Sequence, residues 1–177
     1  SMTYLMTIDS GNTHVKWGLH DGSNWLEQGT IAQDKSILLQ QEWKSLPTPH
    51  GIIISNVSSI ETKKKLSEFL SCWKVKPRWI TPLVYQCGVR NYYADPSLLG
   101  SDRWAALIAA WNWQKKGCLV VDVGTAMTVD ALSDTGEFLG GIIVPGFKLM
   151  KESLTTNITT LQNQEGEFSD FPNNTAN

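Results

Sequence analysis

The chain has 177 residues, 41% of them apolar, and a formal net charge of −2, so it is long and apolar enough to bury a real core. The slightly negative balance argues against nucleic acid or a membrane surface as the main partner. No apolar run approaches bilayer-spanning length and no basic segment leads into an apolar one, so a cytoplasmic location is expected.

Tyr4 to Ile8 reads as a first strand and Val15 to Leu19 as a second, joined by the turn Asp9-Ser10-Gly11-Asn12-Thr13. Lys16 on the second strand either reaches back over that turn as a point cation for phosphate oxygens or is an ordinary solvated lysine. After the turn at His20 to Asn24, Trp25 to Ile31 is a third antiparallel strand. Ser36 to Lys44 then reads helical, Gly51 to Ser55 as a buried strand, Ile60 to Ser71 as an amphipathic helix and Arg78 to Thr81 as a short strand. Three meandering strands followed by alternating helix and strand predict an α/β layout, a mixed sheet with helices on its faces. The run Lys63-Lys64-Lys65 fits the wet face of its helix.

Gln86 to Gly100 reads as a loop rich in Tyr, Asn, Asp and Pro, of a length that is often functional. It delivers Gly100-Ser101-Asp102-Arg103 to the start of a helix that runs through Trp104 and Trp111. A helix N-terminus attracts anions, and Arg103 offers a two-pronged clamp for a carboxylate or phosphate. Asp102 is open to two readings, a carboxylate placed beside a substrate hydroxyl or a first-turn acid serving the helix alone. Trp104 and Trp111 fit a core or interface stripe. His14, His20 and His50 lie in or beside turns without paired ligands, so no catalytic histidine is expected. Cys72, Cys87 and Cys118 are far apart with no C-x-x-C spacing, which predicts reduced, mostly buried thiols.

The last stretch carries most of the chemistry. Leu119 to Val121 reads as a fully buried strand, broken at Asp122-Val123-Gly124-Thr125 and followed by a second strand, a turn at Ser133 to Gly136 and a Gly-rich return to Gly146. Gly124 leaves the main-chain N–H groups open to an anionic ligand, while Asp122 and Thr125 offer a carboxylate for a cation and a hydroxyl for a phosphate oxygen. A constant shift along the chain aligns Asp9 with Asp122, Gly11 with Gly124, Leu19 with Leu132 and Asp21 with Asp134. Such a repeat predicts two like domains, residues 1–117 and 118–177, facing each other across a cleft. Two Asp-x-Gly hairpins would clamp a polyphosphate from both sides. Phe147 to Thr160 is expected to be a further helix.

Taken in order, Asp9 to Thr13 with Lys16, Gly100 to Trp104, Asp122 to Ala126 with Thr128 and Asp130, Gly140 to Gly146, and Phe171-Pro172 with Thr175 resemble the type III pantothenate kinases. The resemblance implies the acetate-kinase, sugar-kinase and actin superfamily. Its fold would be two duplicated ribonuclease-H-like (actin-like ATPase) domains, the second incomplete in this chain because family members continue well beyond the Phe-Pro motif. It implies ATP-dependent phosphorylation of pantothenate, with Mg²⁺ and a monovalent cation, K⁺ or NH₄⁺. Asp9, Ser10, Gly11, Asn12, Thr13 and Lys16, with Gly124 and Thr125, would bind ATP. Asp102 would be the general base. Tyr93, Gly100, Ser101, Arg103 and Thr175 would bind pantothenate, Thr175 across the interface of a homodimer. Asp122 would ligate the monovalent cation. Two rivals stay in view. One is a kinase for another small acceptor; the other is a nucleotide-binding accessory or regulatory protein on the same fold.

Overall fold

The structure is a computed structural model that describes residues 2–157. It contains two five-stranded sheets. In the first, β1 (Leu5–Ser10), β2 (His14–His20), β3 (Trp25–Ala32), β4 (Gly51–Asn56) and β5 (Arg78–Trp79) take the order β3-β2-β1-β4-β5. β1 runs antiparallel to β2 and parallel to β4, so the sheet is mixed. Helices α1 (Leu38–Lys44) and α2 (Ile60–Leu70) belong to this half of the chain.

The second sheet is formed by β6 (Tyr85–Gln86), β7 (Val89–Asn91), β8 (Cys118–Val123), β9 (Ala126–Leu132) and β10 (Glu137–Pro145), in the order β6-β7-β10-β9-β8. It is mixed as well, with β10 parallel and β6 antiparallel to β7. α3 (Ser101–Gln114) precedes β8 in the chain, and α4 (Phe147–Asn157) follows β10. The described residues divide into two compact units. The first runs up to Val120 and includes Asp130–Gly141; the second holds Val121–Val129 and the described residues from Ile142 onward.

The first sheet is organised by its alternating apolar residues. Met6 and Ile8 of β1, Val15, Trp17 and Leu19 of β2, and Ile52 and Ile54 of β4 are buried in one cluster, as period-two patterning requires of a sheet whose face meets helices. α1 adds Leu39 and Trp43, one turn apart, and α2 adds Leu66, Phe69 and Leu70 at helical spacing. α2 is started by Ser59, whose side chain accepts from Thr62 N, satisfying one of the donors a helix leaves open at its N-terminus. A smaller cluster joins Val89, Leu99, Trp104, Leu107, Leu132 and Phe138.

Three expectations need correction. Gln86 to Gly100 is not all loop, because β6 and β7 form a hairpin through Cys87 and Gly88, whose φ angles are 51° and 87°. Left-handed conformations at both turn positions are what a type I′ hairpin turn demands, and a Cys-Gly pair is an uncommon way to supply them. The strand at Leu119 is not fully buried, since Leu119 and Val121 are 68% and 55% exposed. β8 is the outer strand of its sheet, so an apolar run there need not be covered on both faces. The cysteines are not mostly buried either. Cys72 and Cys87 are exposed and Cys118 is half-buried, because Cys87 sits in the hairpin turn and Cys72 just beyond the end of α2.

Candidate active site

The first Asp-x-Gly turn closes β1 onto β2. Asp9 and Lys16 are direct cross-strand partners, so their side chains leave the same face of the hairpin and the reach of Lys16 towards the turn is geometrically available. Gly11 N donates to His14 O at 2.9 Å. Gln33, just after β3, braces the turn from behind: its Nε2 donates to Ser10 Oγ at 3.1 Å and to Gly11 O at 2.7 Å, and its N donates to Thr13 O at 2.8 Å. Sequence reading missed Gln33, since nothing in its local pattern marks it. Ser10 is buried, whereas Asn12 and Thr13 stand exposed at the tip.

β4 links this turn to the start of α3. Ser55 is the parallel cross-strand partner of Asp9, and its hydroxyl pairs with that of Ser101 at 2.9 Å, both groups buried. Gly100 is the N-cap of α3 and supplies no side-chain cap. A Cβ at Gly100 would lie 2.6 Å from Asp102 Oδ1, so glycine at this position makes room for the Asp102 carboxylate to fold back over the helix start. The same Oδ1 accepts from Arg103 N at 2.8 Å. Asp102 thus serves the first turn and remains half-buried rather than sealed.

Arg103 does not point freely at solvent. Its Nε donates to Asp130 Oδ2 at 3.1 Å and its Nη2 to Asp130 Oδ1 at 2.5 Å. The two-pronged fork expected to meet a ligand anion is directed onto a carboxylate of β9. The bonds to Asp130 push the guanidinium above its ordinary value, against the opposing effect of burial, and Tyr93 adds to the rise. Tyr93 is positioned by its own N–H, which donates to Asn91 Oδ1 at 3.0 Å, and by its ring against Phe138. Arg103, Asp130 and Tyr93 therefore form one group beside Asp102. Asp130 belongs to the motif quoted above, but its pairing with Arg103 crosses 27 positions, and sequence reading gave it no role.

In the second unit, Gly124 N donates to Ala126 O at 2.9 Å and Gly146 N to Thr125 O at 3.0 Å. A Cβ at Gly146 would lie 2.5 Å from Thr125 O and 2.6 Å from Gly124 O, so the end of β10 closes on this turn only because position 146 has no side chain. Asp122, Gly124 and Thr125 are exposed. Thr128 Oγ1 is buried with no hydrogen-bond partner among the described residues. No group of three or more His, Cys, Asp or Glu side chains able to hold a metal occurs among the described residues. Thr175 and Phe171-Pro172 lie outside the described residues, as do the last three positions of the helix expected to reach Thr160.

Two mixed sheets with Asp-x-Gly hairpins and a carboxylate at a helix start define an α/β fold of the actin-like ATPase and sugar-kinase type. Solved structures share it. A protein of Campylobacter jejuni described as a transcriptional activator of the Baf family matches with a TM-score of 0.55 at 24% identity, over 97% of this chain and 69% of its own. A Sinorhizobium meliloti protein described as a 2-dehydro-3-deoxygalactonokinase also scores 0.55, at 14% identity over 96% of this chain and 62% of its own. At such identities the likeness shows the fold alone.

The sequence comparisons are narrower. A family profile for type III pantothenate kinase matches residues 5–177. The type III pantothenate kinase of Nitrosospira multiformis is 58% identical over 97% of this chain and 66% of its own length. That of Nitrosomonas eutropha is 51% identical over 99% of this chain and 69% of its own length. The chain belongs to the type III pantothenate kinase family and spans about two thirds of the length of these relatives.

Proposed function

We propose that this chain carries the machinery for transferring the γ-phosphoryl group of ATP to the primary hydroxyl of pantothenate, giving 4'-phosphopantothenate on the way to coenzyme A. The observation that supports this best is the start of α3. There the Asp102 carboxylate lies over a glycine made small enough to accept it, one residue from an arginine fixed by a buried partner.

A primary alcohol is a poor nucleophile at neutral pH, and a positioned carboxylate that takes its proton late in transfer is sufficient if attack is in line. Asp102 accepts the hydroxyl proton as the new oxygen–phosphorus bond forms. The bond to the bridging oxygen breaks and ADP leaves. Gly100, Ser101, Arg103 and Tyr93 orient the acceptor.

ATP binding at the two turns is supported by their glycines. Neither Gly11 nor Gly124 has a left-handed φ. A Cβ would meet nothing nearer than 3.5 Å at Gly11 and 3.7 Å at Gly124. The fold does not need glycine at either place, so what its absence of a side chain preserves is space beside the backbone for a ligand. Asp9 to Thr13 with Lys16 form one half of that reading; Gly124 and Thr125 form the other. Mg²⁺ would offset triphosphate charge, a role that needs only one or two protein carboxylates. Asp122, exposed at its turn, suits a K⁺ or NH₄⁺ ion. The recurrence of the turn supports duplicated ribonuclease-H-like domains, residues 1–117 and 118–177.

The test is ADP release with ATP, Mg²⁺ and pantothenate, in K⁺ and again in Na⁺, with acetate and glucose as control acceptors. Release that requires pantothenate and is faster in K⁺ is expected. Asp102→Asn should lower turnover about 10²- to 10⁴-fold, the usual contribution of a general base, with an unchanged melting temperature. A variant with near-native turnover would remove Asp102 from the base role. ATP binding without release to any acceptor would favour the accessory-protein reading.

A further inference from the structure

We infer that Asp130 is a positioning residue for acceptor binding, setting the orientation of Arg103 without itself meeting the acceptor. The inference rests on the kinase reading above and extends it to a residue that this reading leaves without a role.

Asp130 is 2% exposed and Arg103 7%, so the pair has left water almost completely. Burying two charges is expensive, and a buried ion pair is on balance weak support for stability. What it can supply is geometry. The carboxylate grips the Nε and Nη2 side of the guanidinium with both oxygens. This fixes the plane of a group that would otherwise turn about a long, flexible stem. Two of the five N–H donors are used in this way. A further donor meets Tyr93, and those still open are what the guanidinium can offer an acceptor. Tyr93, held by Asn91 and Phe138, also pairs with Arg103, but the two-pronged grip that fixes the guanidinium plane is that of Asp130. The backbone N–H of Arg103 donates to the Asp102 carboxylate. A guanidinium in the right place therefore sits one residue from the base, where a small rotation would move the acceptor hydroxyl away from it.

A purely structural ion pair would predict a different pattern from a positioning one. Loss of a structural pair lowers the apparent kcat in step with the folded fraction and leaves both KM values alone. Loss of a positioning pair acts on the acceptor and spares the nucleotide.

The experiment is steady-state kinetics on the full-length wild-type protein, Asp130→Asn and Asp130→Glu, with melting temperatures alongside. Asn keeps the size of the side chain and removes its charge, so it is the variant most apt to stay folded. Asp130→Asn should raise KM for pantothenate about tenfold or more while KM for ATP changes less than about twofold; Asp130→Glu should recover part of the loss. An unchanged pantothenate KM in a folded Asp130→Asn variant overturns the inference and leaves the kinase reading standing. So does a fall of kcat with the melting temperature in which the KM values for pantothenate and ATP stay in their wild-type ratio. A second readout does not depend on activity. The Arg103 Nε–H proton should exchange slowly in the wild type and quickly in Asp130→Asn. If the wild type phosphorylates no pantothenate, the kinase reading fails, and equal exchange in the two proteins would show separately that Asp130 does not hold Arg103.

Discussion

The two Asp-x-Gly hairpins use one pattern of residues and are held in different ways. The β1-β2 turn grows out of a core: Ile8 and Val15 are buried, Gln33 braces the turn with three hydrogen bonds, and Ser55 ties the neighbouring strand to α3. The β8-β9 turn stands at the outer strand of its sheet with Val121 and Val123 exposed, and it is clasped by Gly146 at the end of β10. An Asp-x-Gly turn is therefore a local product of a few residues. Its rigidity is a separate property, conferred by what packs behind it.

Substitutions can widen or collapse that difference. The largest effect is expected in the core behind the first hairpin. Trp43 is fully buried between the Trp17 and Trp73 rings, and Trp43→Ala should cost about 3–5 kcal/mol in a denaturant titration. The matched change at the second hairpin, Val121→Ala, should stay within about 0.5 kcal/mol, as exposed positions generally do. Similar costs at the two sites would erase the contrast.

An intermediate effect is expected where the second turn depends on one residue. Gly146→Ala would drive a methyl group into two backbone oxygens and should cost about 1–3 kcal/mol, the usual range for overpacking. Gly124→Ala meets no such obstacle and should leave the melting temperature nearly unchanged while weakening ATP binding in a calorimetric titration. If Gly124→Ala instead binds ATP normally, the space beside that turn is not a nucleotide cradle. The smallest effect concerns the tie between β4 and α3. Ser55→Ala removes one buried hydrogen bond and should cost about 1 kcal/mol, with KM for pantothenate changing more than KM for ATP.

Much of this was legible in the sequence because it is local. The strands β1 to β4, the start of α3 and both turns announce themselves through alternation, turn residues and helix signals within a few positions. The β6-β7 hairpin was not legible, since its turn uses cysteine in a left-handed conformation that few sequences choose. The exposure of β8 was hidden for another reason: the same apolar run serves a central or an outer strand, and only the strand order decides which. The partners Gln33 and Asp130 were missed because each meets its turn or helix across a long stretch of chain. Residue types that carry chemistry are thus visible early, whereas the groups that aim them become visible only once the chain is folded.

The distribution of indole rings has a practical consequence for optical work. All eight tryptophans of the chain lie at or before Trp113, in the first compact unit, and Trp17, Trp43 and Trp73 form a row with ring centres 6.2 and 6.1 Å apart. Gly29 leaves a slot that the ring of Trp17 fills, which holds one end of this row in place. Intrinsic emission from this protein is therefore a report on its first compact unit, whose unfolding will be bright in fluorescence.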